Sequence, residues 1–230
     1  MDIYGHRGAK GVAMENSLQG FLLAVSQGIS KFELDVRLSS DNQLMVVHDE
    51  KLLRLTNSSL LVSKSTAQVL SQTLLEGTQE GIPTLEQIVI ACPSVTHWQF
   101  EIKTLNTNAN FVAPMKQLIE KYQLQDKVTI TSKHIGTLEI FKHKLAHIKR
   151  GYVQEWSRPN GIKTAIKLNC HMLALNKNLA HRKHIKKAQE QGLHVSVWTV
   201  NLQEDMQRLA LLQVDSIISD TPKLAMDVLK

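Results

Sequence analysis

Short runs of apolar and β-branched residues alternate along the chain with segments in which apolar residues recur every three or four positions. Residues 3–6 have the composition of a short strand, and residues 18–25 then carry the repeat expected of one helix face. Ser17 lies where a hydroxyl caps such a helix, and Gly28 lies where a glycine ends it. The chain therefore begins with a predicted strand followed by a predicted helix.

The same alternation continues to the C-terminus. Two strands are predicted on either side of a polar Ser-Ser-Asp-Asn turn, at residues 32–38 and 44–48. Later strands are predicted at residues 98–103, 128–132, 148–154, 172–175, 193–200 and 214–219. Helices are predicted at residues 84–91, with Thr84 as the N-cap, and at residues 111–122, 136–145, 179–191, 202–212 and 223–229.

This regular order indicates the fold class. Strands that alternate with helices favour the α/β class with a parallel sheet. About eight such units in a chain of 230 residues favour a closed (β/α)8 barrel, the TIM barrel, over an open sheet. Residues 50–82 interrupt the alternation and are rich in Ser, Thr, Leu and Gly. We therefore expect one barrel domain over residues 1–230, with a short insertion at residues 50–82 after the second strand.

The composition is that of a globular protein, with 43% hydrophobic and 21% charged residues. No run of about 18 apolar residues is present, so we expect no membrane span. The first residues lack the features of a secretory signal. Cys92 and Cys170 are too few and too far apart for a disulfide framework or a zinc site. These features predict a cytoplasmic protein.

The chain is basic, with a formal net charge of +6 and a pI near 9.3. Such a charge is compatible with nucleic acid, an anionic surface or an anionic substrate. The basic residues are scattered, and the densest group is typical of a solvated helix face: Arg182, Lys183, Lys186 and Lys187. Aromatic residues make up 5% of the chain and form no RNA-binding signature. We therefore expect no nucleic-acid partner.

Carboxylates on two predicted strands carry the candidate chemistry. Glu33 and Asp35 are two residues apart on a strand, so their side chains point to the same side. They repel unless a cation lies between them, and such oxygen ligands suit Mg²⁺ or Ca²⁺. Glu101 and Lys103 share a side of a later strand, and would suit a metal-bridged phosphate. Solvated acids on an edge strand and a Glu–Lys surface pair are the alternatives.

Two histidines are candidates for proton transfer. His6 ends the first strand, and the catalytic face of a barrel lies at the C-terminal ends of its strands. Arg7 follows and can fork onto phosphate oxygens. If Asp41-Asn42 form a two-residue hairpin loop, His48 lies opposite Asp35 and beside the proposed metal ligands. A histidine at a strand end can also be purely structural.

Together these motifs resemble the glycerophosphodiester phosphodiesterase family, and most closely its small bacterial cytoplasmic members. The similar segments occur in order over nearly the whole chain, at residues 6–17, 33–57, 82–86, 100–103, 197–201 and 214–222. The resemblance implies a TIM barrel with His6 and His48 as the general acid–base pair, His6 as the base. It also implies that Glu33, Asp35 and Glu101 bind the divalent cation, and that His6, Arg7, Lys103 and Trp198 contact the substrate.

The reaction implied by the resemblance is hydrolysis of a small glycerophosphodiester to glycerol 3-phosphate and an alcohol. A glycerol hydroxyl would attack first, and water would open the resulting cyclic phosphate. Two alternatives stay open. One is a related barrel enzyme acting on lysophospholipid or sphingolipid headgroups, and the other is a non-catalytic barrel that binds phosphates or nucleic acid.

The chain departs from the family pattern at a few positions. Met14 replaces a usual proline, Ser17 replaces threonine, and Ser216 replaces a frequent glycine. Lys133-His134 stand where an apolar aromatic residue is common. None of these changes removes a proposed catalytic group, but they leave the preferred alcohol open, and the sequence indicates no oligomeric state.

Overall fold

The computed structural model describes residues 1–103, 109–157 and 160–230. Eight parallel strands close into a barrel surrounded by helices, and a ninth, short strand forms a hairpin outside it. The strands are β1 Asp2–His6, β2 Lys31–Leu38, β3 Leu44–Val46, β4 His97–Ile102, β5 Val128–Ser132, β6 Lys149–Gln154, β7 Met172–Asn176, β8 His194–Trp198 and β9 Ser216–Ser219. The prediction of a (β/α)8 barrel is confirmed.

The α-helices follow the strands in the order expected of this fold. They are α1 Leu18–Ser26, α2 Leu53–Thr56, α3 Ala67–Gln72, α4 Leu85–Ala91, α5 Val112–Lys121, α6 Ile135–Lys144, α7 Gly161–Lys167, α8 Arg182–Gln189, α9 Gln203–Leu211 and α10 Pro222–Val228. Among the described residues, no helix combines the length and the apolar character needed to cross a bilayer.

The barrel closes because β1 pairs with both β2 and β9. Around the barrel the strands run β1-β2-β4-β5-β6-β7-β8-β9, and β3 pairs antiparallel with β2. Closure sets His6 beside Glu33, and the register of β2 with β4 sets Asp35 beside Glu101. The alternation of side chains along each strand then separates polar residues inside the barrel from apolar residues outside it.

The apolar faces of the first strands pack against helices around an aromatic cluster. Phe21 of α1 lies edge-to-face on Phe32 of β2, with ring centroids 5.3 Å apart. Trp98 and Phe100 of β4 extend this cluster, and all four rings are buried. Aromatic pairs of this geometry stabilise a core beyond the area that they bury. They fix β2 and β4, the strands that carry the predicted carboxylates.

Local signals in the sequence define the helix starts. The Ser17 hydroxyl accepts a hydrogen bond from the Gly20 N–H at 3.0 Å, as predicted. Thr84 caps α4 in a capping box. Its hydroxyl accepts from the Gln87 N–H, and the Gln87 side-chain oxygen accepts from the Thr84 N–H. Gly8 has φ +89°, and a Cβ there would lie 2.9 Å from the Gly20 carbonyl carbon. The turn after β1 therefore requires glycine.

The hairpin register differs from the prediction by one residue. Asp35 lies opposite Val47 and not His48, and the Val47 N–H donates to the Asp35 carbonyl at 3.1 Å. The pairs observed are Val36–Val46, Arg37–Met45 and Leu38–Leu44. The prediction assumed a two-residue loop, and that assumption is wrong.

The loop between β2 and β3 contains three residues, 40–42. The Ser39 N–H donates to the Gln43 carbonyl at 3.0 Å, and Asn42 adopts the left-handed conformation with φ 60°. A turn followed by a left-handed residue is the usual form of a three-residue hairpin loop. The Ser39 hydroxyl completes it with a 2.5 Å bond to the Asp41 carboxylate. These side-chain bonds explain the shift of one residue.

Every predicted strand overlaps an observed one, but three helices were not predicted. Helix α7 is as long as α4, but it begins with glycine and contains the β-branched residues Ile162, Thr164 and Ile166, which lower its helix propensity. Its cap, Asn160, accepts from the Lys163 N–H at 3.1 Å. Helices α2 and α3 are shorter still and lie in the predicted insertion. That segment packs on residues of β3 and the position just after it in a separate apolar cluster, formed by Met45, Val47, Leu52, Leu55, Val62, Leu70, Leu75 and Ile82.

Candidate active site

A cavity of about 280 Å³ opens at the C-terminal ends of the barrel strands. The residues singled out in the sequence converge on it. Those that line the cavity are His6, Arg7, Glu33, His48, Glu101, Lys103 and Trp198, and Asp35 is fully buried behind them. One site therefore gathers side chains from β1, β2, β4, β8 and the segment after β3.

Three carboxylates form the acidic part of this site. Glu33, Asp35 and Glu101 each offer an oxygen, and these oxygens lie within 4.8 Å of one another. Both carboxylate oxygens of Glu33 are buried and have no hydrogen-bond partner in the described part of the chain. Burial and the charges of Asp35 and Glu101 raise the pKa of Glu33 well above its usual value. Uncompensated buried oxygens of this kind fit a hard divalent cation such as Mg²⁺ or Ca²⁺.

Asp35 differs from Glu33 because cations already surround it. Lys103 Nζ lies 3.1 Å from Asp35 Oδ1 and Arg7 Nε lies 2.9 Å from Oδ2. Asn16 Nδ2 donates to Oδ2 at 2.9 Å. Burial alone would raise the pKa of Asp35, but Lys103 and Arg7 hold it far below the usual range. Asp35 is thus ionised, and it anchors the two basic residues of the site.

The His6 imidazole is held by a carboxylate from the last strand. Its Nδ1 lies 2.5 Å from Asp220 Oδ1, and its Nε2 lies 3.6 Å from Glu33 Oε2. Asp220 also accepts from Asn201 Nδ2 at 2.7 Å. Burial lowers the pKa of His6, against the opposing effect of Asp220. Since a carboxylate only accepts, Nδ1 carries the proton, and in the neutral ring Nε2 presents its lone pair to the site.

His48 repeats this arrangement on the other side of the site. Its Nδ1 lies 2.6 Å from Asp49 Oδ1, and Arg54 Nε donates to Asp49 Oδ2 at 2.6 Å. The His48 carbonyl accepts from Arg37 Nε at 2.8 Å. Burial lowers the pKa of His48, and the negative charge of Asp35 opposes that shift. The Nδ1 of each imidazole thus contacts a carboxylate, which leaves Nε2 available for proton transfer.

A chain of ion pairs connects the second histidine to the carboxylates. Glu15 Oε1 accepts from Arg54 Nη2 and from Arg7 Nη1, each at 2.8 Å. Arg54 also contacts Asp49, and Arg7 contacts Asp35. The segment after β3 is therefore tied to the barrel by the same charged groups that orient the site.

Trp198 at the end of β8 and a charged pair that follows β5 and β6 complete the border of the cavity. Trp198 Nε1 donates to the Ala174 carbonyl at 3.2 Å, which fixes the indole ring. Lys133 Nζ donates to Glu155 Oε2 at 2.9 Å, and both residues line the cavity. His134 does not line it; its N–H donates to the Ser132 hydroxyl at the start of α6. Of the two unusual residues at this position, Lys133 alone contributes to the pocket.

Sequence reasoning assigned no role to several residues that hold the site together. Asp49 directly follows His48, so a local contact was foreseeable. Asp220 lies 214 residues from His6 and meets it only because β9 closes the barrel against β1. Glu15 and Arg54 are 39 residues apart and are joined by the fold of the insertion.

Comparison with known proteins places this site in a family. The sequence model of the Glycerophosphoryl diester phosphodiesterase family matches residues 6–224. A glycerophosphodiester phosphodiesterase of Bacillus altitudinis is 29% identical, over 98% of this chain and 97% of its own. Lysophospholipase D GDPD1 of Homo sapiens is 30% identical, but over 51% of this chain and 40% of its own length.

Solved structures are similar over the full chain. A phosphodiesterase of Oleispira antarctica, in complex with the product sn-glycerol-3-phosphate, has a TM-score of 0.93 and is 25% identical. The match covers 100% of this chain and 96% of that one. A glycerophosphodiester phosphodiesterase of Thermotoga maritima, 23% identical, has the same fold with a TM-score of 0.81 over 98% of this chain and 97% of its own.

Proposed function

Because this chain belongs to the glycerophosphoryl diester phosphodiesterase family, an enzyme family, we propose that it hydrolyses glycerophosphodiesters with a divalent cation and two histidines. The products are glycerol 3-phosphate and an alcohol. The observation that supports this most directly is the gathering of three carboxylates and two aspartate-held imidazoles around one cavity. The Oleispira structure, which contains sn-glycerol-3-phosphate, supports the same product.

Glu33, Asp35 and Glu101 would hold the cation, either Mg²⁺ or Ca²⁺. When bound, such an ion neutralises charge on the phosphate and in the transition state. Arg7 and Lys103 add positive charge beside it, and both line the cavity. Their ion pairs with Asp35 keep them in place before the substrate binds, so little reorganisation is needed during the reaction.

The two histidines would move the protons. His6 Nε2 takes the proton of the glycerol hydroxyl that neighbours the bridging oxygen. The deprotonated hydroxyl oxygen then attacks phosphorus to form a cyclic phosphate. The bond from phosphorus to the alcohol breaks, and protonated His48 gives its proton to the departing oxygen. In the second stage His48 accepts a proton from water, which opens the cyclic phosphate, and His6 returns a proton to the glycerol oxygen.

The border formed by Trp198, Lys133 and Glu155 would receive the alcohol. The indole offers an apolar face, and the Lys133–Glu155 pair offers one charge of each sign. A charged pair at the cavity wall favours polar headgroups over hydrocarbon chains, since burying it under hydrocarbon removes its hydration. The pair therefore favours a polar alcohol such as choline or ethanolamine. The lysophospholipids suggested by the name of the human relative, which matches only half of this chain, carry the same alcohols, so a comparison of substrates has to separate the two classes.

The test compares glycerophosphocholine, glycerophosphoethanolamine and lysophosphatidylcholine as substrates. It measures the released alcohol together with the phosphomonoester, which is glycerol 3-phosphate for the first two and lysophosphatidate for the third. We expect turnover of the first two, and a loss of about 10²–10⁴-fold in His6→Ala and His48→Ala. His147→Ala, which changes an exposed histidine, is the control. Near-normal turnover in either active-site variant would exclude the histidine roles. Hydrolysis of lysophosphatidylcholine alone would favour the lipid alternative, and salt-sensitive nucleic-acid binding without hydrolysis would favour the non-catalytic one.

We also propose that the enzyme acts in the cytoplasm as one barrel domain. Both cysteines are free, which is compatible with a reducing compartment. All residues proposed for the site except His48, which follows β3, come from the barrel strands or from segments that follow them. Cell fractionation with detection of the native protein would test the location, and recovery in an extracellular fraction would contradict it.

A further inference from the structure

Large apolar side chains project from the end of the barrel that contains the cavity. Loops that follow parallel barrel strands all lie at that end. Trp156 in the loop after β6 is 71% exposed, and Leu202 in the loop after β8 is 60% exposed. Val12 in the loop after β1 is exposed as well. None of these side chains belongs to the catalytic arrangement described above.

Trp156 and Leu202 lie beside the mouth of the cavity. Trp156 directly follows Glu155, which lines the cavity, and Leu202 directly follows Asn201, which holds Asp220. Val12 lies outside the mouth, where it lines a separate pocket with Gln19 and Leu22 of α1. Strands β6 and β8 are separated by β7 alone, so Trp156 and Leu202 lie on the same side of the mouth.

Basic residues lie at the same end. Arg182 and Lys183 begin α8, directly after the β7 loop and between the loops that carry Trp156 and Leu202, and both are exposed. Lys133 follows β5, and its Nζ donates to Glu155 Oε2 at 2.9 Å. Glu204 is the exposed acidic residue closest in sequence to Leu202. The net charge of +6 gives the whole molecule the same sign as this rim.

We propose that this end of the barrel docks peripherally on anionic lipid surfaces. Trp156 and Leu202 enter the headgroup region, and Arg182 and Lys183 lie against the lipid phosphates. Tryptophan favours the interface between water and hydrocarbon. Basic residues near an anionic leaflet add to the attraction.

The spacing of the apolar residues favours lipid over a protein partner. They protrude singly from separate loops, and they do not form one continuous groove. A fluid bilayer accommodates separated side chains, whereas a stable protein interface needs a contiguous, well-packed core. The docking is independent of turnover, so it does not depend on the proposed reaction.

Vesicle sedimentation tests the proposal. Phosphatidylcholine vesicles with and without phosphatidylglycerol are mixed with wild-type protein, and the bound fraction is measured at low and high salt. We expect binding that needs phosphatidylglycerol and weakens with salt. The double variant Trp156→Ser/Leu202→Ser should bind about tenfold more weakly, because it removes the apolar part of the contact.

The matched control is Ile90→Ser/Leu211→Ser. Ile90 is 58% exposed and Leu211 is 77% exposed, and both lie near helix C-termini, at the opposite end of the barrel. It should bind vesicles like the wild type, and both double variants should keep the wild-type circular dichroism spectrum. The tryptophan emission of the wild type should shift to the blue on anionic vesicles, and this shift should be lost with Trp156.

Two results would overturn the proposal. Wild-type protein that fails to sediment with anionic vesicles has no such surface. Equal loss of binding in the two double variants would mean that general hydrophobicity causes it. Size-exclusion chromatography tests whether the surface joins two copies of the protein instead. If the wild type is a dimer and Trp156→Ser/Leu202→Ser is a monomer, without vesicle binding by either, the surface joins two copies and the lipid proposal is wrong.

Discussion

The contact between His6 and Asp220 illustrates how single residues set the chemistry of this site. The Asp220 carboxylate receives one hydrogen bond from Asn201 Nδ2 at 2.7 Å and one from His6 Nδ1 at 2.5 Å. Asn201 Oδ1 in turn accepts from the Asp220 N–H at 2.9 Å. The aspartate cannot rotate freely, so the imidazole that it holds has one defined tautomer and direction.

Asp220→Asn should therefore reduce turnover by about 10²-fold while the KM changes little, because the group positions His6 and does not touch substrate. The carboxylate raises the pKa of His6, so its removal lowers that pKa. If His6 is the base, the acid limb of the pH–rate profile should move to lower pH. An acid limb at the same pH in the wild type and in Asp220→Asn would contradict the positioning role.

Residue spacing predicted one part of this site and missed another. Glu33 and Asp35 point to the same side because they are two apart on a strand, and no tertiary information is needed for that. The cations around Asp35 and the aspartate behind His6 come from other strands. Their positions depend on barrel closure, which no local pattern encodes.

At the scale of elements, the segment after β3 contributes charged side chains to the active site. Its short helix α2 carries Arg54, which bonds both Asp49 and Glu15. The first contact orients His48, and the second reaches Arg7 beside the carboxylates. The predicted insertion thus supports the site from outside the barrel.

Arg54→Met should lower turnover by about ten- to a hundredfold, since a small displacement of His48 is costly for proton transfer. The thermal unfolding midpoint should change little, because the Arg54 side chain is half exposed and such ion pairs contribute little stability. Lys51→Met, an exposed change in the same segment, is the control. Equal turnover in the two variants would rule out a role for Arg54 in orienting the site.

Longer elements were predictable because their periodicity extends over two turns or more, as in α5 and α9. Helix α7 was missed because its glycine and β-branched residues give it a low helix propensity, whereas α4, of equal length, follows a clear Thr84 cap. The hairpin register was wrong by one because hydrogen bonds of Ser39 and Asn42 stabilise a three-residue loop. The length of such a loop depends on hydrogen bonds made by its own side chains, and the alternation of residues along the strands does not predict it.

At the scale of the whole molecule, the two ends of the barrel have different roles. The C-terminal end holds the cavity, and the N-terminal end contains His97 among β1, β4 and β5. His97 Nδ1 bonds the Tyr4 hydroxyl at 3.0 Å, and Nε2 bonds the Thr129 hydroxyl at 3.3 Å. Burial, together with the charges of Lys149 and Lys31, lowers the pKa of His97 to about 4.

This shift predicts acid sensitivity of the fold. In the unfolded chain His97 has a pKa near 6.5, so between pH 6.5 and about 4 the unfolded state binds more protons. The free energy of unfolding therefore falls as the pH falls through that window. The slope that His97 contributes is at most about 1.4 kcal/mol per pH unit.

Urea unfolding of wild type and His97→Gln at pH 7 and pH 4.5 measures the effect. The wild type should lose more stability on acidification than the variant, and the exposed control His147→Gln should behave like the wild type. The same loss in wild type and His97→Gln would assign acid sensitivity to other groups.

The fold class was predictable because alternation extends over the whole chain, and the family resemblance rested on motifs in the same order. What the sequence did not provide is the network between motifs, since links such as His6–Asp220 and Arg54–Glu15 join residues that are far apart in the chain. The lipid-facing rim belongs to the same scale, because it is defined by loops that meet only when the barrel closes.

The central claim is that Glu33, Asp35 and Glu101 hold a divalent cation on which hydrolysis depends. Release of glycerol 3-phosphate from glycerophosphocholine, measured after exhaustive chelation and again after addition of Mg²⁺ or Ca²⁺, tests it most directly. We predict that chelation abolishes release and that one of the two ions restores it in the wild type but not in Glu33→Gln. Undiminished release in the presence of the chelator would contradict the claim.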